Sequence, residues 1–270
     1  MTELLEKIAV EHAGDFDCPF EHQPEPRTEK NEIPPDHSNS SNVLGAALSG
    51  ESHHLKTIKI NPPLNLIKGG TCDEFGFSPH HLIPGNEIWN NKGHPLHAWV
   101  HKTAKGSKVK GDIGYINNAK YNGVDLPSNY KFSGWAASVG DQAAYANAAM
   151  KADPKMRQFH DAHKAYSDMV WNALEKISKK LDQMEDSKGC GDKNCPLNRS
   201  KPYDPPYGIL RQLKQVAGRL KSKVYGNSDK WQAPLFTSRF ALMYKTKGKT
   251  QEQARQELSK LRDEMGRPTK

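Results

Sequence analysis

The sequence predicts an α+β fold, mostly helical, in which a short β region precedes one long amphipathic helix. Three observations carry this. From Met156 to Leu181 apolar residues recur every three or four positions (Phe159, Ala162, Tyr166, Val170, Ala173, Ile177), the period of a helix with one buried face. Two stretches, Leu55–Ile60 and Phe75–Ile83, read instead as strands. Hydrophobic residues make up only 35% of the 270, so a core is expected over part of the length and not over all of it.

Taken in order, Thr2–Val10 reads as a short helix, followed by a linker with little structure, rich in Pro, Glu, His, Asn and Ser. Leu55–Ile60 alternates as a strand, and Pro62-Pro63 is expected to end it. Phe75–Ile83 enters a turn at Pro84-Gly85-Asn86, and His94–Lys102 reads as one short helix. Tyr115–Tyr130 carries turn chemistry at Asn122-Gly123 and Pro127-Ser128-Asn129. The long helix is expected to start at Asp153 as N-cap, with Pro154 at its first position, and to stop before Ser187-Lys188-Gly189. After a Cys/Pro loop, a basic helix covers Ile209–Tyr225 and a last one Thr250–Glu264. The expected division is an acidic, largely flexible segment over 1–70, a central domain over 71–186 and a basic helical region over 187–270.

Charge follows the same order. The chain carries +8, but Arg199 to Lys270 holds 17 basic and 6 acidic residues, whereas Met1 to Asp36 holds 3 basic and 10 acidic. A basic C-terminal region attracts phosphates or acidic proteins without sequence preference. The longest apolar stretch, around Val43–Leu48, is far too short for a bilayer span, so no membrane insertion is expected. The acidic start, Met1-Thr2-Glu3-Leu4-Leu5-Glu6, lacks the order of a Sec signal, and four cysteines are too few for a disulfide scaffold.

The chemistry concentrates in histidines. His80 and His81 end a strand, where neighbours point to opposite faces, an arrangement that suits one metal ligand and one base beside it. Seventy-nine residues after His81 comes His160, with His163 three further on; on a helix both lie on one face and can hold one ion. Between the pairs lies Asn122-Gly123-Val124-Asp125-Leu126-Pro127. In this order the set Pro79-His80-His81-Leu82-Ile83-Pro84, Asn122-Gly-x-x-Leu126-Pro127 and His160-x-x-His163-x-x-Tyr166 resembles the HNH/endonuclease VII (ββα-metal) nuclease superfamily, in its AHH-type toxin branch. The resemblance covers roughly residues 71–181. One departure is Pro79, where the branch usually has Ala; it alters the strand entry rather than the ligands.

The resemblance implies a hairpin and a helix gripping one divalent ion in a metal-dependent endonuclease that hydrolyses DNA phosphodiester bonds. By it, His80, His160 and His163 are metal ligands, His81 is the general base, and Asn122 ties the hairpin turn and helps to orient His81. An unperturbed imidazole pKa near 6.5 suits a base that takes a proton from water. Imidazole ligands favour Zn2+, Ni2+ or Mn2+, with Mg2+ possible at an open site; the identity stays undecided. Because AHH domains occur mostly in bacterial toxins, the resemblance also implies an antibacterial effector. Its expected partners are DNA, an acidic immunity protein, and a secretion-system component or chaperone. Delivery would be by a contact-dependent system without a Sec signal, with action in the target cell's cytoplasm.

Several rivals stand beside this reading. An RNase could use the same base and ion, and a non-catalytic nucleic-acid-binding module could use the histidines for a structural zinc. A zinc peptidase fits less well, because Asp161 rather than Glu follows His160. His94, His97 and His101 form a second cluster whose default role is structural, and Asn117 and Asn118 compete with Asn122 as the turn asparagine. Lys102, Lys105, Lys108 and Lys110 fall between the two halves of the proposed site and are expected to touch phosphates. The tryptophans are expected in the core. Cys190 and Cys195, with Cys18 and Cys72, are loosely spaced for a Zn(Cys)4 site, and Cys18-Pro-Phe-Glu-His22 needs partners from elsewhere; none is assigned a role.

Overall fold

A computed structural model describes residues 18–20, 22, 39–49, 57–66, 70–90, 93–129 and 139–246. Strands β1 (Thr57–Leu66), β2 (Gly70–His81) and β3 (Gly123–Ser128) form an antiparallel sheet in that order, with β2 central. The helices are α1 (Ser41–Leu48), the single turn α2 (His97–Val100), α3 (Val139–Ala152), α4 (Lys164–Asp186), α5 (Gly208–Val224) and α6 (Arg239–Lys245). This is the α+β, predominantly helical architecture expected, with the hairpin-plus-helix core built from β2, β3 and α4.

The β2–β3 register decides what the histidines face. His80 pairs with Val124 and His81 with Gly123, so His80 shares a face with Val124 and Leu126 while His81 lies on the other. Val124 and Leu126 belong to a core with Tyr166, Val170 and Leu174 of α4 and with Leu213, Val216 and Leu220 of α5. On the His81 face α1 comes close: a Cβ on Gly123 would lie 2.6 Å from Leu44 Cδ1, which only glycine avoids. A second cluster joins Phe75 and Phe77 of β2 to Tyr145 and Ala149 of α3, Phe159 and Phe240 of α6. Trp99 and Trp231 are fully buried and Trp89 nearly so, as expected of core residues.

Several elements differ from expectation, each for a physical reason. β1 runs through Pro62-Pro63 instead of ending there. It is an edge strand whose register shifts between Lys59 and Leu64, where missing N–H donors are tolerated. Two elements within residues 1–70, α1 and β1, are regular structure; Ser40 caps α1 by accepting from Val43 N. Asn122-Gly123 does not turn a hairpin but starts β3, and the helix over His94–Lys102 shrinks to four residues.

The long helix begins at Lys164, ten residues after Pro154. Asp153 ends α3 rather than opening α4, its N–H donating to Ala149 O. Its carboxylate is taken by the Lys155 and Arg157 amides and by the Arg157 guanidinium, and Met156 adopts a left-handed φ of 51° that no helix accommodates. The basic helix matches expectation closely, at Gly208–Val224. The expected helices over Thr2–Val10 and Thr250–Glu264 lie outside the described residues.

Candidate active site

Three histidines from three backbone settings meet at one point. His80 comes from the last turn of β2. His160 sits in extended backbone that bridges Ser128 of β3, its N–H donating to Pro127 O at 2.7 Å. His163 is the N-cap residue of α4. Their ring centroids lie 4.9 Å (80–160), 4.9 Å (80–163) and 5.2 Å (160–163) apart, and one ring nitrogen of each falls within 4.8 Å of the others. The sequence placed His160 and His163 on one helix face. The structure brings them together by a different route, an irregular strap over residues 153–163 that delivers His160 from the sheet side and His163 from the helix end.

That strap is held by buried polar ties. Arg157, fully buried, makes a bidentate pair with Asp153 (2.8 and 2.9 Å) and donates to Asp125 O on β3 at 3.2 Å. Gln158 donates to Lys223 O and Leu235 O and accepts from Thr237 N; Asp161 N donates to Thr237 O. The His160 backbone therefore has little freedom to move.

Burial keeps the triad neutral. Desolvation, reinforced by the neighbouring imidazoles, pushes His80 well below the usual histidine range and His160 down to about 3. His163 is lowered by desolvation too, with Glu87 and Asp161 opposing. Neutral imidazole is the form that binds metals. The fit to an ion shows in His80: its Nε2 is buried and has no hydrogen-bond partner among the described residues, a costly arrangement for a polar nitrogen unless a ligand completes it. The three rings open onto a cleft of about 190 Å3, lined also by His81, Asn39, Asn86 and Glu87, large enough for a phosphate group. His163, the N-cap of the 23-residue helix α4, carries no side-chain cap bond and lines the same cleft.

His81 is set apart from the triad by its own partner. Its Nε2 lies 2.8 Å from Asn118 Oδ1, which also accepts from Ser40 N at 3.2 Å. The backbone donor identifies that amide atom as the oxygen, so His81 Nε2 carries the proton and Nδ1 holds the lone pair. Asn122 does a different job. Its Oδ1 accepts from Ile83 N at 2.7 Å and its Nδ2 donates to Ile83 O, Asn117 O and Asn117 Oδ1, while Leu82 N donates to Asn122 O. Asn122 ties the end of β2 to the start of β3, and Asn118, which sequence reasoning held only as a rival, touches His81. The signal for the clamp was the Asn117-Asn118 pair itself; the contribution of Ser40, 78 residues upstream of Asn118, had none.

The other histidine cluster is structural. His94 Nδ1 accepts from Leu96 N, and its Nε2 lies 3.2 Å from Trp171 O; His97 stacks on Trp89, and His101 meets Asp112 at 3.2 Å. Nor are the lysines gathered at the triad. Lys108 is tied to Asp182 (2.6 Å) and Glu185 (2.7 Å) near the C-terminal end of α4, and Lys110 to Asp204 (2.8 Å); Lys102 and Lys105 are exposed. Nineteen residues of helix separate Asp182 from His163, roughly 28 Å at 1.5 Å per residue.

Residues 61–199 match the family model AHH, described as a nuclease family of the HNH/ENDO VII superfamily with conserved AHH. No curated protein and no solved structure matches the chain.

Proposed function

The chain belongs to the AHH nuclease family of the HNH/endonuclease VII superfamily, and from that premise we propose that it is a metal-dependent endonuclease hydrolysing DNA phosphodiester bonds at the His80/His160/His163 cluster. The observation that carries the reading is the partnerless, buried His80 Nε2 inside three neutral imidazoles, one residue from a histidine whose tautomer is fixed. His80, His160 and His163 would hold one divalent ion. When bound, such an ion supplies Lewis-acid stabilisation of the negative charge that develops on the phosphate. An all-imidazole set favours Zn2+, Ni2+ or Mn2+ over Mg2+.

The remaining work falls to the chain's own residues. His81, held by Asn118, takes at Nδ1 the proton of the water that attacks phosphorus. The sugar oxygen leaves on the opposite side and takes a proton from solvent. Asn122 keeps β2 and β3 in register and so fixes where His81 stands. Lys102, Lys105 and Lys110 would meet the backbone of duplex flanking the cleavage point.

The family resemblance further supports an antibacterial effector that enters a competitor's cytoplasm by a contact-dependent route and is restrained by an acidic immunity protein. The net +11 of residues 199–270 is the charge such an inhibitor would complement.

Plasmid nicking by the EDTA-stripped protein, with Mg2+, Mn2+, Zn2+ or Ni2+ restored, tests the activity. His81→Ala is expected to lower the rate by about 10²–10⁴-fold. RNA cleavage with an intact plasmid would move the substrate to RNA, and no cleavage of either would leave the nucleic-acid-binding module as the better reading.

A further inference from the structure

A second set of soft donors converges far from the cleft. Cys18, His22, Cys190 and Cys195 place one ligand atom each within 4.8 Å of all the others. We propose that these four residues bind a structural zinc ion that clasps the N-terminal segment to the loop following α4.

The separations fit a closed tetrahedral site. Ligands about 2.3 Å (sulfur) and 2.0–2.1 Å (nitrogen) from zinc stand roughly 3.8 Å apart for S···S and 3.6 Å for S···N. Cys18 Sγ and Cys195 Sγ are 3.7 Å apart; Cys190 Sγ and His22 Nε2 are 3.1 Å apart, so this pair spreads by about half an ångström when the ion enters. All four positions come from protein, leaving no site for water, which makes the ion structural rather than catalytic. On loading, the three thiols give up their protons and the imidazole binds neutral through Nε2. His22 is already oriented for that: its Nδ1 lies 3.0 Å from the Asp192 carboxylate, the partner that zinc-bound histidines commonly have.

The loop is built to present its sulfurs. Gly189 and Gly191, with φ of 91° and 85°, turn the chain on either side of Cys190. Asp192 O accepts from Cys195 N, and Asp192 Oδ1 from Asn194 N. The facing segment is docked independently, since Phe20 is buried against Trp99 and Pro19 O accepts from Gly208 N at the start of α5. The spacings Cys-x3-His and Cys-x4-Cys suit zinc sites, but the two halves lie 168 residues apart in sequence, which hid the set from pattern reading. Cys72 stands outside it, bonded to Glu74 O. A disulfide would use two of the sulfurs and leave the third thiol, the imidazole and Asp192 without purpose; the 3.7 Å contact is nearly twice a sulfur–sulfur bond.

The test is cobalt substitution and zinc analysis of the full chain, purified under reducing conditions. Co2+ is expected to give the near-ultraviolet thiolate-to-cobalt absorption that a three-histidine site cannot produce. Cys190→Ser and His22→Ala should each lose one zinc equivalent and weaken or abolish that absorption, while Cys72→Ser retains both and His80→Ala retains the absorption. Absence of the absorption in wild type overturns the proposal without recourse to a variant. So does an intact mass two hydrogen atoms lighter, localised to a disulfide among these cysteines in the native chain, or full zinc retention by Cys190→Ser. Because His80→Ala leaves this site intact, failure here and failure of the cleft as a metal centre are read separately.

Discussion

In the proposed mechanism Asn118 decides which nitrogen of His81 acts as the base. Its oxygen receives both the His81 Nε2 proton and the Ser40 amide, which leaves the His81 Nδ1 lone pair as the basic atom. Asn118→Ala is therefore expected to slow cleavage by about 10–100-fold, the usual cost of losing a group that orients a catalytic or metal-bound histidine. Metal content should not change; loss of metal in this variant would contradict the assignment. Burial of the triad also makes stability depend on pH. The folded pKa of His160 is about 3, those of His80 and His163 are depressed, and His94 is at about 4, whereas unfolded histidines titrate near 6.5. Below about pH 6.5 the unfolded state binds more protons, so stability is fully present above that pH and declines as pH falls toward the folded values. Urea midpoints of the metal-free protein should be level from pH 7 to 8 and lower at pH 5. A midpoint unchanged at pH 5 would mean that the imidazoles are not buried neutral. The identities of these residues were legible in sequence, because His-His before Leu-Ile-Pro and His-x-x-His-x-x-Tyr are local patterns. Which asparagine touches which group was not, since Asn117, Asn118 and Asn122 are chemically alike and only the fold distinguishes them.

At the level of elements, the strap between α3 and α4 is the part that sequence pattern misread. Asp153-Pro154 followed by apolar residues at helical spacing is a sound helix start, but a buried Arg157 outweighs it. The guanidinium must be paired to be buried at all, and Asp153 supplies the pair, while Met156 between them, at φ 51°, takes the chain out of helical geometry. His160 then lies in extended backbone beside β3, where it reaches His80. Asp153→Ala strands that guanidinium and is expected to cost about 3–5 kcal/mol, read from denaturant unfolding. A loss below about 1 kcal/mol would show that the pair does not hold the strap. β1 offers the converse lesson: Pro62-Pro63 stops a central strand but not an irregular edge strand, and edge position is a property of the sheet, invisible along the chain.

For the molecule as a whole, α5 belongs to the same core as α4: Leu213, Val216 and Leu220 pack with Val170, Leu174 and Ile177. Deleting the basic region would therefore remove core along with charge and cannot test its role in binding DNA. Charge reversal on the outer face of α5 can, because Arg211 and Lys214 are exposed. Arg211→Glu with Lys214→Glu is expected to weaken DNA binding and flatten its salt dependence by about one unit per lost phosphate contact, with the cleavage rate of bound DNA unchanged. An unaltered salt slope would assign the DNA track elsewhere. The helical α+β class and the positions of α5 and the β2 strand could be read from periodicity, while the packing of residues 18–20, α1, β1 and the described residues 187–246 onto the central elements could not. That packing rests on contacts between residues far apart in sequence, such as Phe20 with Trp99, 79 positions apart, and Cys18 with Cys195, 177 apart. The most direct test of the central claim compares wild type, His81→Ala and His80→Ala in plasmid nicking, with the metal bound beyond any thiolate-held ion counted in parallel. The account predicts that His81→Ala keeps the metal and loses cleavage, and that His80→Ala loses both; wild-type cleavage by His81→Ala, or undiminished metal in His80→Ala, would contradict it.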